Sequence, residues 1–316
     1  MLLSSPPAFS QVRSKPQRNV QMTGARVARK DEFYTKLVDI ATECDNYAEH
    51  FRNKHILCPC DGLDSNFLKY FEMNFEKFGL ASLTCIGFGG TGQGFKYVKK
   101  PGVEPVIEKT LLNGDYRSFE VLALFRETDI VVTNPPFSLF RHFVEMVVRY
   151  KKKFLLLGNI VTIGSKDMER LVRTRQMWFG YFGQGAMEFT LPENYPQAMR
   201  TETNPDGSVI KFATVSSICW ATNLPVNKPF GHKLTAKYDP TTYPKYDNYD
   251  AIEVKMLRNI PKDYDGVMGV PITFVVNWDP EQFDIIGFTA CSDIVDNVKI
   301  NDEVLFRRVF IQKRKI

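Results

Sequence analysis

The chain has 316 residues, 44% of them hydrophobic, and 41 Lys and Arg against 36 Asp and Glu give a formal net charge of +5. That length allows one large domain or two unequal ones with a substantial core, and the mild basic excess suits an acidic partner without specifying one. No apolar run reaches membrane-spanning length, and Met1-Leu2-Leu3 gives way at once to Ser4, Ser5, Pro6 and Pro7, so neither a span nor a signal-peptide core is expected and the expected compartment is the cytoplasm.

Residues 1–29 are rich in Ser, Pro, Gln and Gly, carry Arg13, Lys15, Arg18, Arg26 and Arg29, and contain no acid. They read as a disordered basic arm, either touching phosphates or simply solvated. The folded part starts at KDEFYT, residues 30–35. An amphipathic helix follows, with Leu37, Ile40, Ala41, Cys44 and Tyr47 on one face, and ends near His50-Phe51. In HILCPCDGLDSNF, residues 55–67, a strand over 56–60 is turned by Asp61-Gly62, and Ser65-Asn66 open a helix that sends Phe67, Leu68 and Phe71 inward. Strand, tight turn and helix N-terminus is the layout of a cofactor pocket in a doubly wound sheet.

Residues 80–88 read as the second strand. Its end usually holds an acid for the ribose of a nucleotide cofactor, but Gly87, Phe88, Gly89 and Gly90 stand there. GGTGQG, residues 89–94, lacks the Gly-Lys-Ser/Thr ending and the following helix of a phosphate loop. A flexible excursion carrying Lys96, Lys99 and Lys100, close to nucleic-acid backbone, is expected instead. Asn113-Gly114-Asp115 is either an ordinary turn or a ligand contact, and a helix over 119–125 leads to the central strand.

That strand is the β-branched run Ile130-Val131-Val132, read as buried in a parallel sheet. It stops at Asn134-Pro135-Pro136, because proline donates nothing to a ladder and fixes φ near −65°. Phe137 and a helix to Tyr150 follow. A polar amide, a stiff turn and an aromatic ring at the carboxyl end of a buried strand suit one chemistry well. The amino group of adenine is a poor nucleophile because its lone pair is delocalised into the ring. The Asn134 side-chain carbonyl accepts one N–H and the rigid Pro135 main-chain carbonyl the other, which aims the lone pair at an electrophile, while Phe137 stacks on the base.

Beyond it, 154–157 read as a buried strand ending at Gly158-Asn159, and 165–175 as a charged helix. Strand material is expected at 177–182 and at 187–193, and one or two strands at 208–224 after the hairpin signal Asn204-Pro205-Asp206-Gly207. From residue 225, Lys228, His232, Lys233, Lys237 and Lys245 interleave with Phe230, Tyr238, Tyr243, Tyr246 and Tyr249, a mixture suited to a nucleic-acid surface. Cys44, Cys58, Cys60, Cys85, Cys219 and Cys291 are scattered without zinc-ligand spacing, so reduced thiols and no metal are expected.

Asn134-Pro135-Pro136-Phe137 matches the catalytic motif of amino-methyltransferases acting on adenine N6. From Lys30 onward the chain resembles the EcoRI-type adenine-specific DNA methyltransferases. The resemblance implies a Rossmann-like α/β fold: a doubly wound, mostly parallel sheet with an antiparallel closing strand pair and a C-terminal recognition region. Residues 30–224 would form the catalytic domain and 225–316 a target-recognition and closing region. It implies S-adenosylmethionine as cofactor, bound by Tyr34, Thr35, Cys60, Asp61, Asn66, Phe67, Asp115 and Asn134. Asp61 would hold its ammonium and Asp115 its adenine, with Tyr116 as stacking neighbour. Asn134, Pro135, Pro136 and Phe137 would be catalytic.

Cys58 and Asp64 stand where relatives often have an acid and a second glycine. Trp178 and Phe182 would either hold an extruded base or pack in the core. The implied partner is double-stranded DNA with the target base flipped out, and a cognate restriction endonuclease would be a functional partner. Alternatives are methylation of RNA adenine or of a protein glutamine, and a non-catalytic DNA-binding protein that keeps the fold. A dinucleotide oxidoreductase would need the GxGxxG that is absent after the first strand.

Overall fold

The computed structural model describes residues 33–191, 195, 198–289 and 296–314, with 183 and 184 as backbone only. The basic arm, residues 30–32, Glu193, Cys291 and Lys315 lie outside the described residues.

Ten strands form one sheet: β1 (Tyr34–Thr35), β2 (His55–Cys58), β3 (Ser82–Gly87), β4 (Phe95–Lys100), β5 (Val103–Lys109), β6 (Ile130–Thr133), β7 (Lys153–Asn159), β8 (Trp178–Leu191), β9 (Arg200–Thr203) and β10 (Val209–Thr222). Their order is β1-β8-β10-β7-β6-β2-β3-β4-β5, with β9 added to β10. The centre, β7-β6-β2-β3, is parallel, and Val131 lies level with Leu57 on one side and Phe154 on the other.

These central strands read as continuous apolar runs because both faces are covered. Ile130 and Val132 join one cluster with Ile40 and Cys44 of α1 (Leu37–Cys44) and Phe67 and Phe71 of α2 (Asn66–Met73). Val131, between them, joins another with Val121 of α3 (Phe119–Leu124), Phe143 and Val147 of α4 (Phe140–Arg149) and Leu171 of α5 (Lys166–Arg173). Strand alternation therefore divides the core into two layers. The closing pair is β8 and β10, with antiparallel β10 seated between β7 and β8.

Residues 95–109 are not the flexible excursion expected from the sequence. They form the antiparallel hairpin β4–β5, which extends the sheet from β3, with Gly102 at φ 69° in its turn. The apolar positions alternate with lysines there, so the strand is hidden behind its exposed face. Tyr97 is buried with its hydroxyl on Glu72 at 2.7 Å, Lys96 pairs with Glu108, and Lys99 lies over the Phe75 ring at 5.2 Å.

The strands expected at 177–182 and 187–193 are one, β8, over Trp178–Leu191. β8 carries a long bulge, in which the five steps from Phe179 to Gln184 face the two from Ala221 to Cys219. The fully buried Glu43 accepts the Tyr181 and Phe182 N–H groups of this bulge at 2.8 and 2.7 Å, together with the Tyr47 hydroxyl at 2.8 Å. Gly180 leaves room for it: a Cβ there would lie 2.0 Å from Glu43 Oε1.

A second sheet joins β11 (Ile252–Glu253), β12 (Met268–Pro271), β13 (Phe283–Phe288) and β16 (Arg308–Lys313), while β14 (Lys299–Ile300) and β15 (Glu303–Val304) form a small hairpin. Val270, Phe283 and Val309 share the core of the α3–α5 layer. Two tyrosines expected on a nucleic-acid surface are instead interior. Tyr243 and Tyr246 are each 6% exposed, and Tyr246 donates to Glu253, which also pairs with Arg308 at 2.7 Å. Tyr246 packs on Phe310 of β16 at 6.0 Å between centroids, and Tyr243 on Tyr238 at 5.9 Å. Lys233, Lys237 and Lys245 remain exposed.

Candidate active site

β6 delivers Asn134 to the carboxyl edge of the parallel strands. The Asn134 side-chain nitrogen donates to the Phe33 carbonyl at 2.6 Å and to Thr35 Oγ1 at 3.2 Å. A main-chain carbonyl only accepts, so the amide has one sensible orientation. The other end of the amide, Oδ1, is buried without a hydrogen-bond partner among the described residues. An acceptor left in that state costs about 1–3 kcal/mol.

Beside it, Phe137 is 5% exposed, stacked on Phe33 (5.6 Å between centroids, 23° between planes) and edge-on to Phe189 (5.8 Å, 80°). Tyr195 lies 6.0 Å from Phe33. The pairing of Tyr34 with Thr190 and Thr35 with Phe189, between β1 and β8, brings these rings together. Sequence reasoning missed Phe33, Phe189 and Tyr195. The first adjoins the KDEFYT residues singled out, and the second lies within MEFTL, but nothing local says that they meet.

The loop after β2 touches the same place. Asp61 is 6% exposed, and its carboxylate accepts the Ser65 hydroxyl at 2.7 Å and the Thr133 hydroxyl, with the Asn134 backbone N–H facing it. Burial pushes its carboxyl up to about 6 against the opposing pull of those three donors. Ser65 caps α2 by accepting Phe67 N–H at 3.0 Å. Asn66 donates to the Thr35 carbonyl at 2.8 Å, so Thr35 is tied both to α2 and to Asn134. Cys60 is half-buried, Tyr34 is exposed, and Phe67 packs into the core 6.0 Å from Trp220.

The acid missing from the end of β3 has a steric explanation. A Cβ on Gly87 would come 2.8 Å from the Gly62 Cα, and one on Gly114 (φ 73°) would come 2.5 Å from the Gly87 carbonyl oxygen. Backbone meets backbone there, and Gly89 N–H bonds the Asn113 carbonyl at 2.8 Å. This holds the 113–115 turn against the end of β3, which in turn packs on the loop after β2. Asp115 is gripped by Arg117 (2.9 and 2.5 Å), whose guanidinium holds its carboxyl below the usual range. Tyr116 is buried against Phe143 at 5.0 Å.

Thr35, Asp61, Asn66 and Asn134 are thus one connected group, with Asp115 on the adjoining turn. Trp178 is not part of it. It pairs with Thr222 at the opposite end of β8 and donates its indole N–H to the Leu224 carbonyl at 2.9 Å. Phe182 projects from the bulge, 38% exposed.

A parallel sheet closed by an antiparallel strand between two that run the other way, with Asn-Pro-Pro-Phe at its central carboxyl edge, defines a Rossmann-like amino-methyltransferase. The family described as adenine-specific methyltransferase EcoRI matches residues 21–315, and the chain belongs to it. It is 38% identical to the Type II methyltransferase M.EcoRI of Escherichia coli, over 92% of this chain and 96% of that protein. It is 37% identical to the Type II methyltransferase M.MpnI of Mycoplasma pneumoniae and 35% identical to M.MgeORF184P of Mycoplasma genitalium, in both cases over 84% of this chain and 85% of the relative. No solved structure matches.

Proposed function

We propose that the protein methylates N6 of adenine at a specific sequence in double-stranded DNA, using S-adenosylmethionine. The observation that carries this reading is the orphaned Oδ1 of Asn134, an acceptor fixed from its nitrogen end and backed by aromatic rings. An amino group with two hydrogens satisfies it. One N–H goes to Asn134 Oδ1 and the other to the Pro135 carbonyl. The amine is drawn towards tetrahedral geometry and Phe137 steadies the ring. Fixed dipoles and positioning carry the catalysis, and no side-chain nucleophile takes part. The target atom is unreachable inside a duplex, so the base leaves the stack first.

The residues present fit the cofactor. The chain turns after β2, with Gly62 packed on Gly87 at the end of β3, and enters a helix capped by Ser65, the strand, turn and helix layout on which a nucleotide-type ligand sits. Tyr34, Thr35, Cys60 and Asn66 would hold the methionine end, with Phe67 backing the pocket from the core, and Asp115 would hold the adenine end. When bound, S-adenosylmethionine supplies a methyl group on a positively charged sulfur. Residues 30–224 carry the catalysis in this reading and 225–316 the target recognition, to which the exposed Lys233, Lys237 and Lys245 contribute positive charge. The enzyme works on DNA in the cytoplasm, alongside a cognate restriction endonuclease.

The test incubates unmethylated plasmid with methyl-labelled S-adenosylmethionine, followed by nucleoside analysis and modification mapping. N6-methyladenine at one repeated sequence is expected. Label confined to RNA or protein substrates, with none in the plasmid, overturns the assignment.

A further inference from the structure

We infer that Asp61 is a positioning residue, whose carboxylate fixes the main chain of Asn134 and joins the catalytic motif to the loop after β2 as one rigid piece. The inference rests on the role proposed for Asn134. It departs from the sequence expectation in that Asp61 acts on Asn134 rather than on the cofactor.

The geometry is specific. Two hydroxyls from two elements bond the carboxylate, that of Ser65 at the cap of α2 and that of Thr133 at the end of β6, and the N–H of Asn134, the next residue, faces it. Thr133 is fully buried and Asp61 nearly so. Asn134 is therefore held twice, its main chain through the bond from the adjoining Thr133 to Asp61 and its side-chain nitrogen by Phe33 and Thr35. What remains of it is the one acceptor that the chemistry uses.

A carboxylate offers about four acceptor positions, two are taken by hydroxyls, and a third faces the Asn134 N–H. Protonation converts one oxygen to a donor. A hydroxyl can reverse and accept, but the Asn134 N–H cannot, so the neutral acid loosens the main chain just where a displacement of about 1 Å costs on the order of 100-fold in rate. The titratable groups in electrostatic contact with Asp61 are the thiols of Cys58 on β2 and Cys85 on β3, both pushed up by burial and neutral through the working range. Ser65, Asn66, Thr133 and Asn134, which face it from α2 and β6, do not titrate. An acidic limb near pH 6 in the transfer rate is therefore assigned to Asp61.

The test measures single-turnover methyl transfer to unmethylated plasmid at saturating labelled cofactor from pH 5 to 8, with calorimetric binding of sinefungin in parallel. The wild-type rate should fall about tenfold per pH unit below about 6. Asp61→Asn should be slower at pH 7.5 by roughly 10- to 100-fold, show no acidic limb, and bind sinefungin within about threefold of wild type. Thr133→Val removes a bond that holds the carboxyl down, so its limb should move to higher pH, and Thr133→Ser should bring it back.

Lost sinefungin binding in Asp61→Asn, with the rate kept at saturating cofactor, would make Asp61 a cofactor ligand and overturn the inference. So would an acidic limb unchanged in Asp61→Asn, or unmoved in Thr133→Val should Asp61→Asn not fold. Failure of wild type to label the plasmid bears on the substrate instead. In that event the backbone amide resonance of Asn134, followed by NMR in the free protein, decides: it must titrate near pH 6 in wild type and not in Asp61→Asn.

Discussion

Asp61→Asn should make the protein more stable while making it a poorer catalyst. Burial raises the Asp61 carboxyl from its ordinary 3.8 to about 6. That difference of about 2 pH units corresponds to about 3 kcal/mol. The sign follows from proton linkage. A carboxyl raised in the folded state favours folding fully below about pH 4, and that contribution is lost as pH rises through about 6. At pH 7.5 the ionised group therefore opposes folding by about 3 kcal/mol relative to its neutral form. The asparagine amide removes the charge but turns one of the two acceptor oxygens into a donor, at the loss of about 1 kcal/mol of charge-assisted bonding. The net gain is about 1–3 kcal/mol, which for a chain of 316 residues raises Tm by roughly 2–5 °C. Matched thermal melts of wild type and variant between pH 4.5 and 7.5 test this. The gain should be largest at pH 7.5 and shrink as pH falls. A variant less stable than wild type at pH 7.5, or a gain independent of pH, refutes the reasoning. Greater stability with slower transfer would make Asp61 a site where stability is given up for activity.

Asn134→Ala removes the acceptor for the substrate amine and should lower kcat by about 10²- to 10³-fold, with sinefungin affinity within a few-fold of wild type. Tight analogue binding with near-normal turnover in that variant contradicts the role of Asn134. Thr35→Val deletes the weaker of the two bonds to the Asn134 nitrogen, and a 2- to 10-fold slower single turnover is expected, about 0.5–1.5 kcal/mol. Gly87→Asp places a Cβ 2.8 Å from Gly62 Cα. It should destabilise by about 1–3 kcal/mol and weaken sinefungin binding, measured by melts and calorimetry. Glu43→Ala leaves two bulge N–H groups and the Tyr47 hydroxyl without their acceptor. A loss of about 3–5 kcal/mol in denaturant titrations is expected, with Glu43→Gln milder.

The parallel centre and the catalytic turn were legible because their signals are local. A β-branched run stopped by two prolines states both a buried strand and its end, and the Ser65 cap marks the start of α2 as directly. The rings around Phe137 were not legible. Phe33 is brought to the site by pairing across the chain, and its carbonyl meets a side chain 101 residues further on. The β4–β5 hairpin was hidden because lysines alternate with its apolar residues and lie on other groups instead of in solvent. The β8 bulge needs Glu43, from a helix far away in sequence, before its unpaired N–H groups make sense. Tyr243 and Tyr246 misled because tyrosine serves equally in cores and on nucleic-acid surfaces, and only contacts with residues distant in the chain decide which.

A two-residue strand has a consequence for how the protein is made. Among the described residues β1 pairs with β8 alone, at Phe189 and Thr190. It leaves the ribosome ahead of β8, so this pairing is absent until the chain has been translated past residue 190. Domains form from the N-terminus during synthesis, so the parallel centre can assemble while Phe33 and Thr35 are held only by Asn66, Asn134 and the stack on Phe137. Phe189 joins last, and the ring group beside Asn134 is completed by a strand made well after the motif it serves.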